Sequence, residues 1–175
     1  MADRISPAHR SWTMSRIRAR NTTPEIMVRS LLHRMGYRFT LRRKGLPGTP
    51  DIVLPRHRAV VFVHGCFWHR HPGCRLATRP KTRKAFWGEK FARNVARDRR
   101  NQRKLREAGW RVFVVWECQV RADPRAVARR LDRLLSGTAS DPMAYPIPDR
   151  IELQKAAEAK ADYHVLGATR PRPRP

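Results

Sequence analysis

The sequence predicts an α/β domain built on a small, largely buried sheet. Two observations carry this. Short runs rich in β-branched and aromatic residues, Asp51–Leu54, Ala59–His64 and Trp110–Glu117, have the length and composition of strands. Stretches at 23–36, 84–108 and 122–137 carry helix caps, helical spacing and terminal glycines.

Taken in order, the first helix is expected over about residues 6–20. Ser6 can cap it and Pro7 suits its first turn. Met14 and Ile17 are three apart and share a face. They read either as a core-packing pair or as apolar wedges on a basic arm laid along DNA. The second helix starts at Thr23-Pro24-Glu25 and stops at Gly36. A carboxylate in the first turn suits the helix dipole, which by itself accounts for Glu25.

Tyr37 to Arg42 alternates like a half-buried strand, and Gly45 to Pro50 is a turn-rich loop. The strand Asp51–Leu54 then turns at 55–58 into the strand Ala59–His64. If the two pair antiparallel, Asp51 and His64 lie at the same end of the sheet. Asp51 is then either a turn cap or a metal ligand beside a histidine-rich loop. That loop, Val63 to Cys74, holds three of the chain's histidines and two of its three cysteines.

A basic loop at 75–83 leads into the long helix, closed by Gly109. Trp87, Lys90 and Asn94 line one of its faces, with Arg93, Arg97, Arg100 and Lys104 as a basic stripe beside them. The strand Trp110–Glu117 is apolar at its centre without alternation, the mark of burial on both faces. The last helix presents Val127, Leu131, Leu134 and Leu135 on one face. Beyond Gly137 a short helix is expected at 150–162, followed by an Arg-Pro end that packs against nothing. This divides the chain into an arm (1–20), a main domain (21–136) and a basic tail (137–175).

Lys and Arg number 39 against 14 acidic residues, a net charge of +25. Such an imbalance strains a compact fold unless a polyanion neutralises it. Nucleic acid leads, because the arginine fork grips phosphate, and an acidic membrane surface is second. Binding should weaken steeply with salt. No apolar run approaches the roughly 18 residues of a membrane span, and no secretory signal follows Met1. Three cysteines without such a signal favour metal binding in a reducing cytoplasm over disulfides. Cys66, His71, Cys74 and Cys118 make a plausible tetrahedral zinc set with Cys-x4-His-x2-Cys spacing and a distant fourth thiol.

Phe62-Val-His-Gly-Cys-Phe-Trp-His69, Phe86-Trp87 with Glu89-Lys90, Asn94-Val-x-Arg-Asp98-Arg-Arg, Gly109-Trp-Arg-Val and Val115-Trp-Glu-Cys118 closely resemble the very short patch repair endonucleases. Pro47-Gly-x-Pro-Asp51, Met14, Ile17 and Glu25 also fit. The resemblance runs from about Asp3 to Leu135. It implies a restriction-endonuclease-like fold, with a central mixed sheet flanked by helices and a structural zinc site. It also implies nicking 5′ to the T of a T:G mismatch left by deamination of 5-methylcytosine.

By the same resemblance, Asp51 bridges a pair of Mg²⁺ ions and the Val63 backbone carbonyl ligates one of them. Glu25 and His64 hold metal-bound waters, and His69, oriented by Asp98, moves the proton. Cys66, His71, Cys74 and Cys118 hold one Zn²⁺. Phe67, Trp68 and Trp87 insert beside the mismatch, Met14 and Ile17 enter from the other groove, and Lys90 and Asn94 help read the bases. Pro72-Gly73 makes the His71-to-Cys74 segment one residue longer than the family's usual spacing, and Val63 stands where Thr is frequent. The expected setting is a bacterial cytoplasm, at the nucleoid. There the protein acts as a monomer on double-stranded DNA, with other repair proteins as further partners. Rival readings are a restriction-type nuclease of the same fold and a zinc DNA-binding module without catalysis. A pure binder has no need for Asp51, His64 and His69 together.

Overall fold

The computed structural model describes residues 20–137, together with Ser6, His9 and Trp12. Most of the expected first helix, with Met14 and Ile17, and everything after Gly137 lie outside the described residues. The elements are α1 (Thr23–Arg34), β1 (Ile52–Leu54), a 3-10 turn (Pro55–His57), β2 (Ala59–His64), α2 (Lys84–Glu107), β3 (Arg111–Trp116), α3 (Glu117–Ala122) and α4 (Pro124–Leu135).

The sheet has the order β1-β2-β3. β1 pairs antiparallel with β2, Val53 opposite Val60. β3 pairs parallel with β2, from Ala59 opposite Arg111 to His64 opposite Trp116. The parallel pair needs a long crossover, and α2 supplies it. Alternation along the strands then sorts two cores. Ile52, Leu54, Ala59, Val61, Phe113 and Val115 face α1, α3 and α4, meeting Val28, Leu32, Val120 and the Val127, Leu131, Leu134 and Leu135 face. Val53, Val60, Phe62 and Val112 face the other way, onto Leu105 of α2. The result is a mixed α/β molecule whose small central sheet is flanked by helices.

Three expectations need correction. The strand at Tyr37 to Arg42 is a single bridge, Thr40 to Val53, with both backbone hydrogen bonds at 2.8 Å. β1 is too short to template more, and the chain turns away at Arg42, whose φ is +50°. Half-burial of Tyr37 and Phe39 survives because both pack on the core instead. Trp110 lies outside β3 because its N–H donates to the Leu105 carbonyl and closes α2. Glu117 belongs to α3 rather than to the strand, and Cys118 follows it in that helix.

The loop before β1 is held against α2. At Gly48, with φ +75°, a Cβ would sit 2.9 Å from Asn101. Only glycine combines that backbone with that approach. The contact brings Asp51 to the edge of the same end of the sheet as His64.

Candidate active site and thiol-rich corner

Asp51 ends the loop, and antiparallel pairing sets it beside the end of β2. Its Oδ2 accepts the Val63 N–H at 2.8 Å. His64, the last residue of β2, is 3% exposed and lies on the α2 side of the sheet with Phe62, the ring centroids 5.8 Å apart. The chain then turns back, the His69 N–H donating to the Gly65 carbonyl. This lays the His69 ring on His64, with centroids 3.8 Å apart and planes 12° from parallel. From α2, Asp98 Oδ2 sits 2.5 Å from His69 Nδ1, and Arg97 reaches Asp98 Oδ1 at 3.4 Å. Asn94 donates to the Trp68 carbonyl and pins the loop to the same helix.

These groups open on one cleft of about 1000 Å³, lined by Glu25, Asp51, Val63, His64, His69 and Asp98. Glu25 is nearly buried and fully engaged. It accepts from the Asn21 N–H, the Thr22 hydroxyl and Arg29. Its place at the helix start thus follows from local capping, and it also faces the cleft.

Burial raises the Asp51 carboxyl to about 6; the Val63 N–H pulls against this, Glu25 adds to it, and Arg29 and Arg42 oppose it. An oxygen donor set of this kind, with a carboxylate costly to ionise alone, suits a hard divalent cation such as Mg²⁺. Burial holds His64 well below its ordinary value, helped by His69 and Arg97, so it is neutral at physiological pH.

A second cluster lies behind the turn. Ligand atoms of Cys66, His71, Cys74 and Cys118 all fall within 4.8 Å of one another. His71 Nδ1 is 3.2 Å from Cys118 Sγ and 3.7 Å from Cys66 Sγ. Tetrahedral zinc bonds of about 2.0–2.3 Å place ligand atoms roughly 3.3–3.8 Å apart, so the donor set fits that ion. The extra residue between His71 and Cys74 is taken up by a turn at Gly73, φ +67°. Burial pushes the Cys66 thiol up to about 12 when no cation is beside it.

The aromatic residues form one mutual cluster. Phe67 meets Trp68, Trp87 and Phe91 edge-on at 5.0–5.6 Å. Lys90 Nζ lies 5.3 Å from the Trp68 ring and 5.4 Å from Trp87. Trp68 lines the cleft, whereas Phe67 and Trp87 pack on buried Phe91. Sequence reasoning gave no role to Arg42, Asn101, Glu117 or Trp116, and placed Arg97 only in a basic stripe. The first three and Arg97 line the cleft. Glu117 follows the residue paired with His64, so it reaches the cleft only through the parallel register of β3 with β2.

Residues 2–75 match the family model described as DNA mismatch endonuclease Vsr. The type II nicking enzyme V.XorIIP of Xanthomonas oryzae is 53% identical over 135 residues, 77% of this chain and 98% of that protein. The DNA mismatch endonuclease Vsr of Escherichia coli is 44% identical over 141 residues, 78% of this chain and 90% of that protein. The type II nicking enzyme V.NmeAIP of Neisseria meningitidis is 40% identical over 136 residues, 77% and 95% of the two chains. Relatives this similar, matched over three quarters of the chain, show that it belongs to the Vsr family of DNA endonucleases.

Proposed function

We propose that the protein nicks double-stranded DNA 5′ to the T of a T:G mismatch and so starts repair of deaminated 5-methylcytosine. The observation that carries this reading is the convergence of Asp51, neutral His64 and the His69–Asp98 pair on one cleft with arginines around it. A pure DNA-binding module has no use for a buried carboxylate facing stacked imidazoles. The mixed sheet with both helical layers agrees with a restriction-endonuclease-like fold, residues 21–136 forming the nuclease unit between the arm and the tail.

Asp51, with the Val63 carbonyl, would hold Mg²⁺, and Glu25 and His64 would hold its waters. Bound there, Mg²⁺ supplies charge stabilisation to the phosphate oxygens and lowers the pKa of attacking water. Asp98 accepts from His69 Nδ1–H, which fixes the tautomer and leaves Nε2 for proton transfer. Neutral His64 would accept a hydrogen bond from such a water without repelling the cationic groups beside it. Arg42 and Arg97 are placed to grip phosphate oxygens.

Trp68, with Phe67 and Trp87, would enter at the mismatch, and Lys90 and Asn94 would read the adjoining bases. Insertion costs a few kcal/mol per unstacked step, and a mispaired step opens more readily than a paired one. Stacking returns roughly 1–3 kcal/mol per base. Met14 and Ile17 would enter from the opposite groove. Zn²⁺ on Cys66, His71, Cys74 and Cys118 would brace the corner. The protein would work as a monomer on nucleoid DNA in the cytoplasm, with other repair proteins.

The test is nicking of matched and T:G duplexes with and without Mg²⁺. Cleavage is expected only on the T:G duplex with Mg²⁺, and Asp51→Ala is expected to abolish it while mismatch binding persists. Equal nicking of matched DNA would favour the restriction-type reading.

A further inference from the structure

Trp116 stands between the thiol-rich corner and the cleft. It is the last residue of β3 and 3% exposed. Its indole stacks on His71, with centroids 4.2 Å apart and planes 10° from parallel. It also meets His64 edge-on, at 5.3 Å and 75°. His64 in turn stacks on His69, which Asp98 holds. A continuous row of rings therefore runs His71, Trp116, His64, His69, ending at a carboxylate on α2. The backbone that carries the indole is fixed twice. The parallel register sets Trp116 opposite His64, and its backbone N–H donates to Gln119 Oε1 at 3.1 Å.

We propose that Trp116 is a positioning residue for the nicking reaction, carrying the placement of His71 through His64 to His69. The proposal rests on the catalytic assignment of His64 and His69. His69 belongs to a turn without regular secondary structure. Its hydrogen bond to Asp98 fixes one ring atom but leaves the plane able to pivot about that bond. The face-to-face contact with His64 removes the pivot only if His64 itself cannot tilt, and the indole, with Phe62 on another side, packs against that tilt. Close-packed contacts of this kind transmit displacement because they leave no slack. The corner also sets the other end of the row. Whatever holds His71 against the thiols holds the face on which the indole rests. The structural corner and the reacting imidazole thus share one line of contacts.

Trp116→Leu removes the ring, and Trp116→Phe keeps a smaller one. Single-turnover nicking at saturating protein is expected to fall roughly a hundredfold in the leucine variant, since about 1 Å of misplacement costs that much. The phenylalanine variant should recover part of the loss. Affinity for the T:G duplex and zinc per chain should stay within about twofold of wild type, because the change acts on rate and not on binding. The imidazole resonances of both His64 and His69 should shift in the folded, zinc-loaded leucine variant.

Wild-type rates in Trp116→Leu, unmoved His69 resonances, or loss of rate, affinity and zinc in parallel would each overturn the proposal. The last result would make the indole a prop for the fold only. If the wild-type protein nicks no duplex, the endonuclease reading fails, and the resonances still decide whether the row of rings acts as one unit.

Discussion

Asp51 carries two opposed demands in one side chain. Burial makes its ionised form costly, and its carboxyl rises to about 6. The unfolded chain therefore releases this proton first, and the folded state loses stability as pH climbs from about 4 to about 6. The loss persists above that window and amounts to about 3 kcal/mol for a shift of some two units. Asn in its place keeps an acceptor for the Val63 N–H and removes the charge. We therefore expect Asp51→Asn to be more stable than wild type by about 1–3 kcal/mol at pH 7.5 without Mg²⁺, with the gain vanishing near pH 4. Urea unfolding at the two pH values measures it, and equal stability at pH 7.5 would contradict the assigned cause. The same variant should not nick.

Elements decide how these residues meet, and the elements were legible to different degrees. The caps and apolar spacing of α1, α2 and α4 mark them clearly in the sequence, because Thr23-Pro24, Gly109 and Asp123-Pro124 are local signals with local causes. β1 and β2 were equally readable from composition, and with them the nearness of Asp51 to His64. The strand at Tyr37 was not, because alternation reports half-burial and Tyr37 meets its partners on a helix: its hydroxyl donates to Asp132 at 2.7 Å. The role of Trp116 was hidden for another reason. It depends on which strand lies beside β2, a long-range fact that no window of sequence contains. One element-level prediction follows from the loop that delivers Asp51. Gly48→Ala forces a Cβ to within 2.9 Å of Asn101 and strains a positive φ. It should destabilise by about 1–3 kcal/mol and reduce nicking beyond that loss, read by denaturation and single-turnover rates together.

At the scale of the molecule, the main core and the thiol-rich corner are separate constructions. The packed residues of both sheet faces include none of the corner's four donor side chains. Residues 65–83 have no helix or strand of their own, so the corner depends on its donors. Removing zinc should lower the melting temperature by something on the order of 10 °C and expose the thiols to alkylation. An unchanged melting curve after verified zinc removal would count against a structural ion. Among the described residues, no helix is long and apolar enough to cross a membrane. The surplus of cationic residues suits the DNA on which this family of endonucleases acts.

The crossover from β2 to β3 has a consequence for when the protein becomes dangerous. Asp98 lies inside the crossover, and β3 lies beyond it. Pairing the ends of that segment closes a long loop, and such distant pairing is the slow part of folding; the part of the cleft wall that Glu117 supplies waits on it. A half-made chain on the ribosome, or one that has begun to unfold, would hold the blade's pieces without its edge, and chromosomal DNA would be exposed only to the finished tool.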